Sequence, residues 1–128
     1  MEKKIKSFLL ACLGLGITTL TIAGVSTVIT VPSKPGIPLA IEIWETGCLL
    51  SYRAPKDNGG EAVANYYIEY RGNWELSWKF RGTSKDVQYQ FKGMKENTKA
   101  QFRISASNSA GISTPSGNAD FITFQGSW

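Results

Sequence analysis

After Leu39, apolar side chains recur at every second position in short runs broken by glycine, proline and asparagine. A period of two marks strands with one buried and one wet face, because successive side chains of an extended chain point to opposite sides. The longest run sets Phe102, Ile104 and Ala106 against Arg103, Ser105 and Ser107, and Asn108 to Gly111 then supplies turn chemistry. Leu39, Ile41 and Ile43 predict a first strand; Cys48, Leu50 and Tyr52 a second, after the turn Glu45-Thr46-Gly47. Pro55-Lys56-Asp57-Asn58-Gly59-Gly60 is the strongest loop signal. A third strand over Val63 to Arg71 puts Tyr66, Ile68 and Tyr70 on one face. Ser77 to Arg81 predicts a weaker fourth, Asp86 to Lys92 a fifth carrying Tyr89 and Phe91, Ala100 to Ser107 the sixth, and Ala119 to Phe124 the last. Seven short strands with almost no helical period predict an all-β sandwich over 39–124, followed by a tail, 125–128. Its core is expected to hold Ile41, Leu50, Tyr52, Tyr66, Ile68, Tyr89, Phe91, Met94, Phe102, Ile104 and Ala106.

The N-terminal third reads differently. Lys3, Lys4 and Lys6 precede Phe8 to Val31, which carries no charge. Residues 1–31 therefore have the grammar of a signal peptide or a signal-anchor, and predict a hydrophobic helix ahead of the sandwich. The uncharged run exceeds the usual h-region and reaches the roughly 20 residues that cross a bilayer. Its glycines and threonines dilute it, and Thr21-Ile22-Ala23 and Gly24-Val25-Ser26 offer small residues for cleavage. Cleavage and retention both stay open. Either way, lysines before the run hold that end in the cytoplasm. The chain from Pro32 onward is expected outside, secreted or anchored to the membrane through residues 8–31. The proline-rich stretch 32–38 reads as a linker.

Composition narrows the chemistry. Setting aside Glu2, Lys3, Lys4 and Lys6 leaves eleven basic and nine acidic side chains, with no basic cluster of the kind nucleic acid needs. The chain has no histidine, which removes Ser-His and Cys-His activation and imidazole metal ligation. Cys48 stands alone on an inward face, and Cys12 lies in the hydrophobic run, so no intrachain disulfide is expected. Asp57 and Glu61 beside the glycine-rich loop read as turn formers rather than an ion site. No catalytic residue, metal or cofactor is expected, and the remaining class is binding. Trp74 and Trp78, with Asp57 and Asn58 in the long loop, are the candidate protein-contact residues.

The ordered motifs resemble the fibronectin type III family. Pro35-x-x-Pro38 opens the first strand, Pro55 to Gly60 matches the loop after the second, and Val63 to Tyr70 matches the following strand. Gly93-Met94 resembles the step into the sheet-crossing corner, and Phe102-x-Ile104-x-Ala106-x-Asn108-x-Ala110-Gly111 the penultimate strand and its loop. The resemblance implies a seven-stranded immunoglobulin-like sandwich and a non-enzymatic module for protein binding, adhesion or spacing. Two positions depart from the family: Tyr52 replaces a core tryptophan, and Ala100 replaces the corner tyrosine. On that reading Ala100→Tyr should stabilise the domain. The same motifs resemble domains of giant intracellular muscle proteins of the titin and twitchin kind, which makes a structural unit of such an array the alternative. A carbohydrate-facing module, stacking sugars on exposed tryptophans, is a further one.

Overall fold

A computed structural model of the chain describes residues 17–22 and 25–126. Among the described residues ten strands follow one another: β1 Ile17–Ile22, β2 Val25–Thr30, β3 Leu39–Trp44, β4 Gly47–Ser51, β5 Asn65–Gly72, β6 Lys79–Ser84, β7 Gln88–Phe91, β8 Lys99–Asn108, β9 Gly111–Ile112 and β10 Ile122–Thr123. They form a sheet ordered β3-β4-β7, a sheet ordered β10-β8-β5-β6 with β9 also on β8, and the hairpin β1-β2. All pairings are antiparallel.

The two larger sheets face each other across an aromatic interior. Cys48, Leu50 and Phe91 come from one, and Tyr66, Ile68, Ala100, Phe102, Ile104 and Ala106 from the other. Phe91 meets Phe102 edge-on at 4.9 Å and Tyr70 at 5.0 Å between ring centroids, geometry that suits the ring quadrupoles. Tyr52 packs on Tyr66 at 5.1 Å, and its hydroxyl donates to Asp86 O at 2.8 Å, which gives the buried phenol the partner it requires. Tyr89 and Met94 are half-buried against this cluster.

Phe124 is fully buried and stacks on Phe91, with centroids 6.2 Å apart. Its N–H donates to Thr98 O and its carbonyl accepts from Asn97 N–H, so backbone bonds tie the corner that a tyrosine would otherwise hold.

Three expectations need correction. The described part of 8–31 is a hairpin, not a helix; residues 1–16, with Cys12, lie outside the described residues. The run is dense in Ile, Val and Thr, whose branched Cβ favours extended backbone over helix. No helix among the described residues is long and apolar enough to cross a membrane. Second, Ile41 is not in the core: it is 51% exposed. It is the extra residue of a β-bulge between Ala40 and Glu42, and Ala40, opposite Leu50, packs inward instead. Third, the last strand is shorter than 119–124. Pro115 has no N–H, and two serines extend the edge beside β8. Ala106 N–H donates to Ser113 Oγ while Ser113 N–H donates to Ala106 O, and Ser116 repeats the arrangement at Ile104.

The proline-rich residues 32–38 lie against the sandwich. Ser33 N–H donates to Asp57 O, Gly36 N–H donates to Arg53 O, and Pro32, Pro35 and Pro38 are buried.

Candidate functional site

The four residues singled out for contact are not brought together. β8, ten residues long, spans about 30 Å at the rise of an antiparallel strand and separates two ends of the sandwich. Asp57 and Asn58 sit at the Asn108 end. Trp74, two residues past Gly72, sits at the other, because Gly72 pairs with Ala100 near the start of β8.

The Asn108 end is occupied by the chain itself. Asn108 Nδ2 donates to Thr30 O at 2.7 Å and to Asn58 O at 2.8 Å, while its Oδ1 accepts from Ala110 N–H at 2.8 Å. Thr30 N–H donates to Gly59 O, and Ile29 is buried. One amide thus joins β2, the loop 54–60 and the turn after β8. Gly59, at φ +78°, is required there, since a Cβ would lie 1.9 Å from Thr30 O. Asp57 Oδ1 accepts from Gly59 N–H, Asn58 Oδ1 from Gly60 N–H, and the Glu61 carboxylate from the N–H and hydroxyl of Ser109. The loop's polar groups are thereby spent on its own shape, and no cluster of metal-ligating side chains occurs among the described residues.

The outer face of the larger sheet is built differently. Arg71 on β5 and Arg103 on β8 are near neighbours on one face, and the Trp78 ring lies under both guanidinium groups, at 4.8 and 4.5 Å. Glu69 fixes Arg103 through a 2.8 Å ion pair, and Arg71 Nε donates to Gln101 Oε1. Cation–π contacts at partly exposed sites contribute about 0.5–1 kcal/mol each. Trp78 is therefore half-buried as a brace, and the Phe80 ring lies tilted against Tyr67, centroids 6.3 Å apart. Within residues 74–80 three large apolar side chains stay largely exposed: Trp74 at 91%, Leu76 at 92% and Phe80 at 62%. Sequence reading found Trp74 but missed Leu76 and Phe80, because only the β6 register shows which face Phe80 takes.

Between the β5–β6 connection and residues 93–99 lies a cleft of about 370 Å³ lined by Trp74, Glu75, Met94, Lys95 and Lys99. Glu75 pairs with Lys79 and also accepts from Gly72 N–H, and these contacts, Lys79 first, hold its carboxyl below the usual range. None of the buried titratable groups Cys48, Tyr52 and Tyr66 is poised for reaction, since burial raises all three. Desolvation pushes the Cys48 thiol up to about 12 and the Tyr52 phenol likewise to about 12.

The family model described as "Fibronectin type III domain" matches residues 33–122. Titin of Drosophila melanogaster is 34% identical over 85 residues, 66% of this chain and 0% of that protein to the nearest per cent. Cardiac-type myosin-binding protein C of Gallus gallus is 33% identical over 91 residues, 70% of this chain and 7% of that protein. The twitchin kinase region from C. elegans superposes with a TM-score of 0.72 at 29% identity, covering 75% of this chain and 17% of that one. The chain thus spans a small part of the relatives it matches. By its sandwich, by its motif order and by the match over 33–122, the chain belongs to the fibronectin type III domain family, a family of non-catalytic modules.

Proposed function

We propose that this chain is a non-enzymatic fibronectin type III module that acts by contacting another protein, and that it does so outside the cytoplasm, secreted or tethered through residues 8–31. The observation that carries the binding role is the exposure of Trp74, Leu76 and Phe80 around a core that closes without them. Large apolar side chains left exposed close together in the chain are the usual anchors of a protein interface. The extracytoplasmic part rests on the sequence. About 20 uncharged residues precede Ile29, which is buried in β2, enough to cross a bilayer. A span would end there and displace the hairpin but not the sandwich.

Binding is tested by immobilising the chain and challenging it with extract of the cells that make it. The double variant Trp74→Ser, Phe80→Ser should lose the captured protein, while Ile112→Ser, an exposed position at the other end, should keep it. Equal capture by both rejects the assignment. For location, carbonate-resistant membrane association supports the tether and a shortened product in the medium supports cleavage. A full-length soluble cytosolic product rejects both. That last result favours a second reading, supported by the likeness to titin and myosin-binding protein C, in which the module is a structural unit of an intracellular array.

A further inference from the structure

The cleft beside Trp74 has a composition that selects a ligand. Met94 is half-buried on the core and forms an adaptable apolar floor, since an unbranched thioether repacks easily. Trp74 stands free as one wall. Lys95 and Lys99 stand at the cleft, both exposed. Among the described residues the ion pairs are Lys79–Glu75 and Arg103–Glu69, so these two lysines have no acidic partner. The one carboxylate in the lining, Glu75, already belongs to Lys79. The site therefore presents an apolar slot under a positive rim. Its volume, about 370 Å³, lies at the lower end of the range for ligand pockets and takes one large side chain rather than a whole cofactor.

We propose that the cleft formed by Trp74, Met94, Lys95 and Lys99 binds an acidic segment of another protein, inserting one aromatic or long aliphatic side chain against Trp74 and Met94 while flanking carboxylates meet the two lysines. This rests on the reading of the chain as a protein-contact module and names the chemistry of its partner. Aromatic anchors in a slot, with charge complementarity around them, supply affinity and orientation respectively.

The test uses the full chain, ¹⁵N-labelled, and three synthetic heptapeptides. One has a central phenylalanine flanked by glutamates, one has lysines in place of the glutamates, and one has serine in place of the phenylalanine. The acidic phenylalanine peptide should shift the Trp74 indole and the amides of Met94 to Lys99, and leave Thr30 and Asn108 unmoved. It should bind at least about tenfold more tightly than either other peptide. Raising ionic strength from about 0.05 to 0.5 M should weaken it several-fold, since rim charges are screened over a Debye length of a few ångströms at high salt. Trp74→Ala, and separately Lys95→Glu with Lys99→Glu, should each weaken it at least about tenfold without moving the melting temperature, because these side chains are exposed. Equal binding of the basic peptide, undiminished binding by Trp74→Ala, or shifts that grow with protein concentration in the absence of peptide would each overturn the proposal, the last in favour of a second copy as occupant. Failure of the peptide alongside capture from extract that the Trp74→Ser, Phe80→Ser double variant still abolishes overturns the cleft and leaves the contact module standing; failure of both removes the two together.

Discussion

At the scale of single residues, the interior depends on polar atoms that have found partners and on acids kept neutral. Tyr52 and Cys48 illustrate both. Each is neutral when protonated, and burial raises each to about 12 from ordinary values of 10.0 and 9.0. The folded chain therefore keeps protons that the unfolded chain sheds. Stability is whole below about pH 9 and falls as pH rises toward 12. Urea midpoints taken from pH 7 to 11 should decline over the upper part of that range, and Cys48→Ala should flatten the decline whatever it does to the midpoint at pH 7. A flat profile in the parent chain would remove the argument. Ala100 shows a residue whose role the family pattern misstates. It has 0% exposure, and Phe124 already binds the corner through Asn97 and Thr98. Ala100→Tyr should thus lower stability by about 1–3 kcal/mol through overpacking, the reverse of the gain that the missing tyrosine suggests. Thermal unfolding decides the sign.

At the scale of elements, the long loop and β2 form one unit held by Asn108. Gly59→Ala should break it, because a left-handed φ costs a non-glycine residue about 1–3 kcal/mol and the new Cβ displaces Thr30 O. Hydrogen exchange at Thr30 should accelerate more than exchange at Ile68 in the core; parallel acceleration at both would mean that β2 is no separate unit. This element was hidden in the sequence. An uncharged run after lysines reads as a helix by its hydropathy, and its β-branched content speaks only once a partner strand is available. The sandwich was far more legible. Phe102, Ile104 and Ala106 declare their face because their neighbours are polar. Ile41 does not: an edge strand has weak demands, and one bulged residue reverses parity for everything beyond it. Phe124 was legible as the end of the last strand but not as a core residue, because its burial comes from its bonds to Asn97 and Thr98 and its stacking on Phe91, which only the fold sets beside it. In the candidate site, Trp74 was visible as a tryptophan beside glycine. Its partner Met94 and the lysine rim come from a segment about twenty residues away in sequence, and only the fold sets them together.

At the scale of the whole molecule, the two ends of the sandwich are built differently. One is sealed by β2 and Asn108; the other displays Trp74 above its cleft. The register of the hairpin then decides how the molecule answers a pull. Ile17 lies opposite Thr30, so the chain upstream begins at the mouth of the hairpin and not at its tip. Tension applied between that point and the far side near Phe124 opens the ladder like a zip, pair by pair, and each step resists only as much as a hydrogen bond or two. Roughly 45 Å of chain, at about 3.3 Å per extended residue, runs out before the load reaches the Asn108 clamp. With the hairpin in place the sandwich hangs on a leash with give in it, and a sudden jerk reaches Ile29, beside the clamp, before it reaches the two facing sheets.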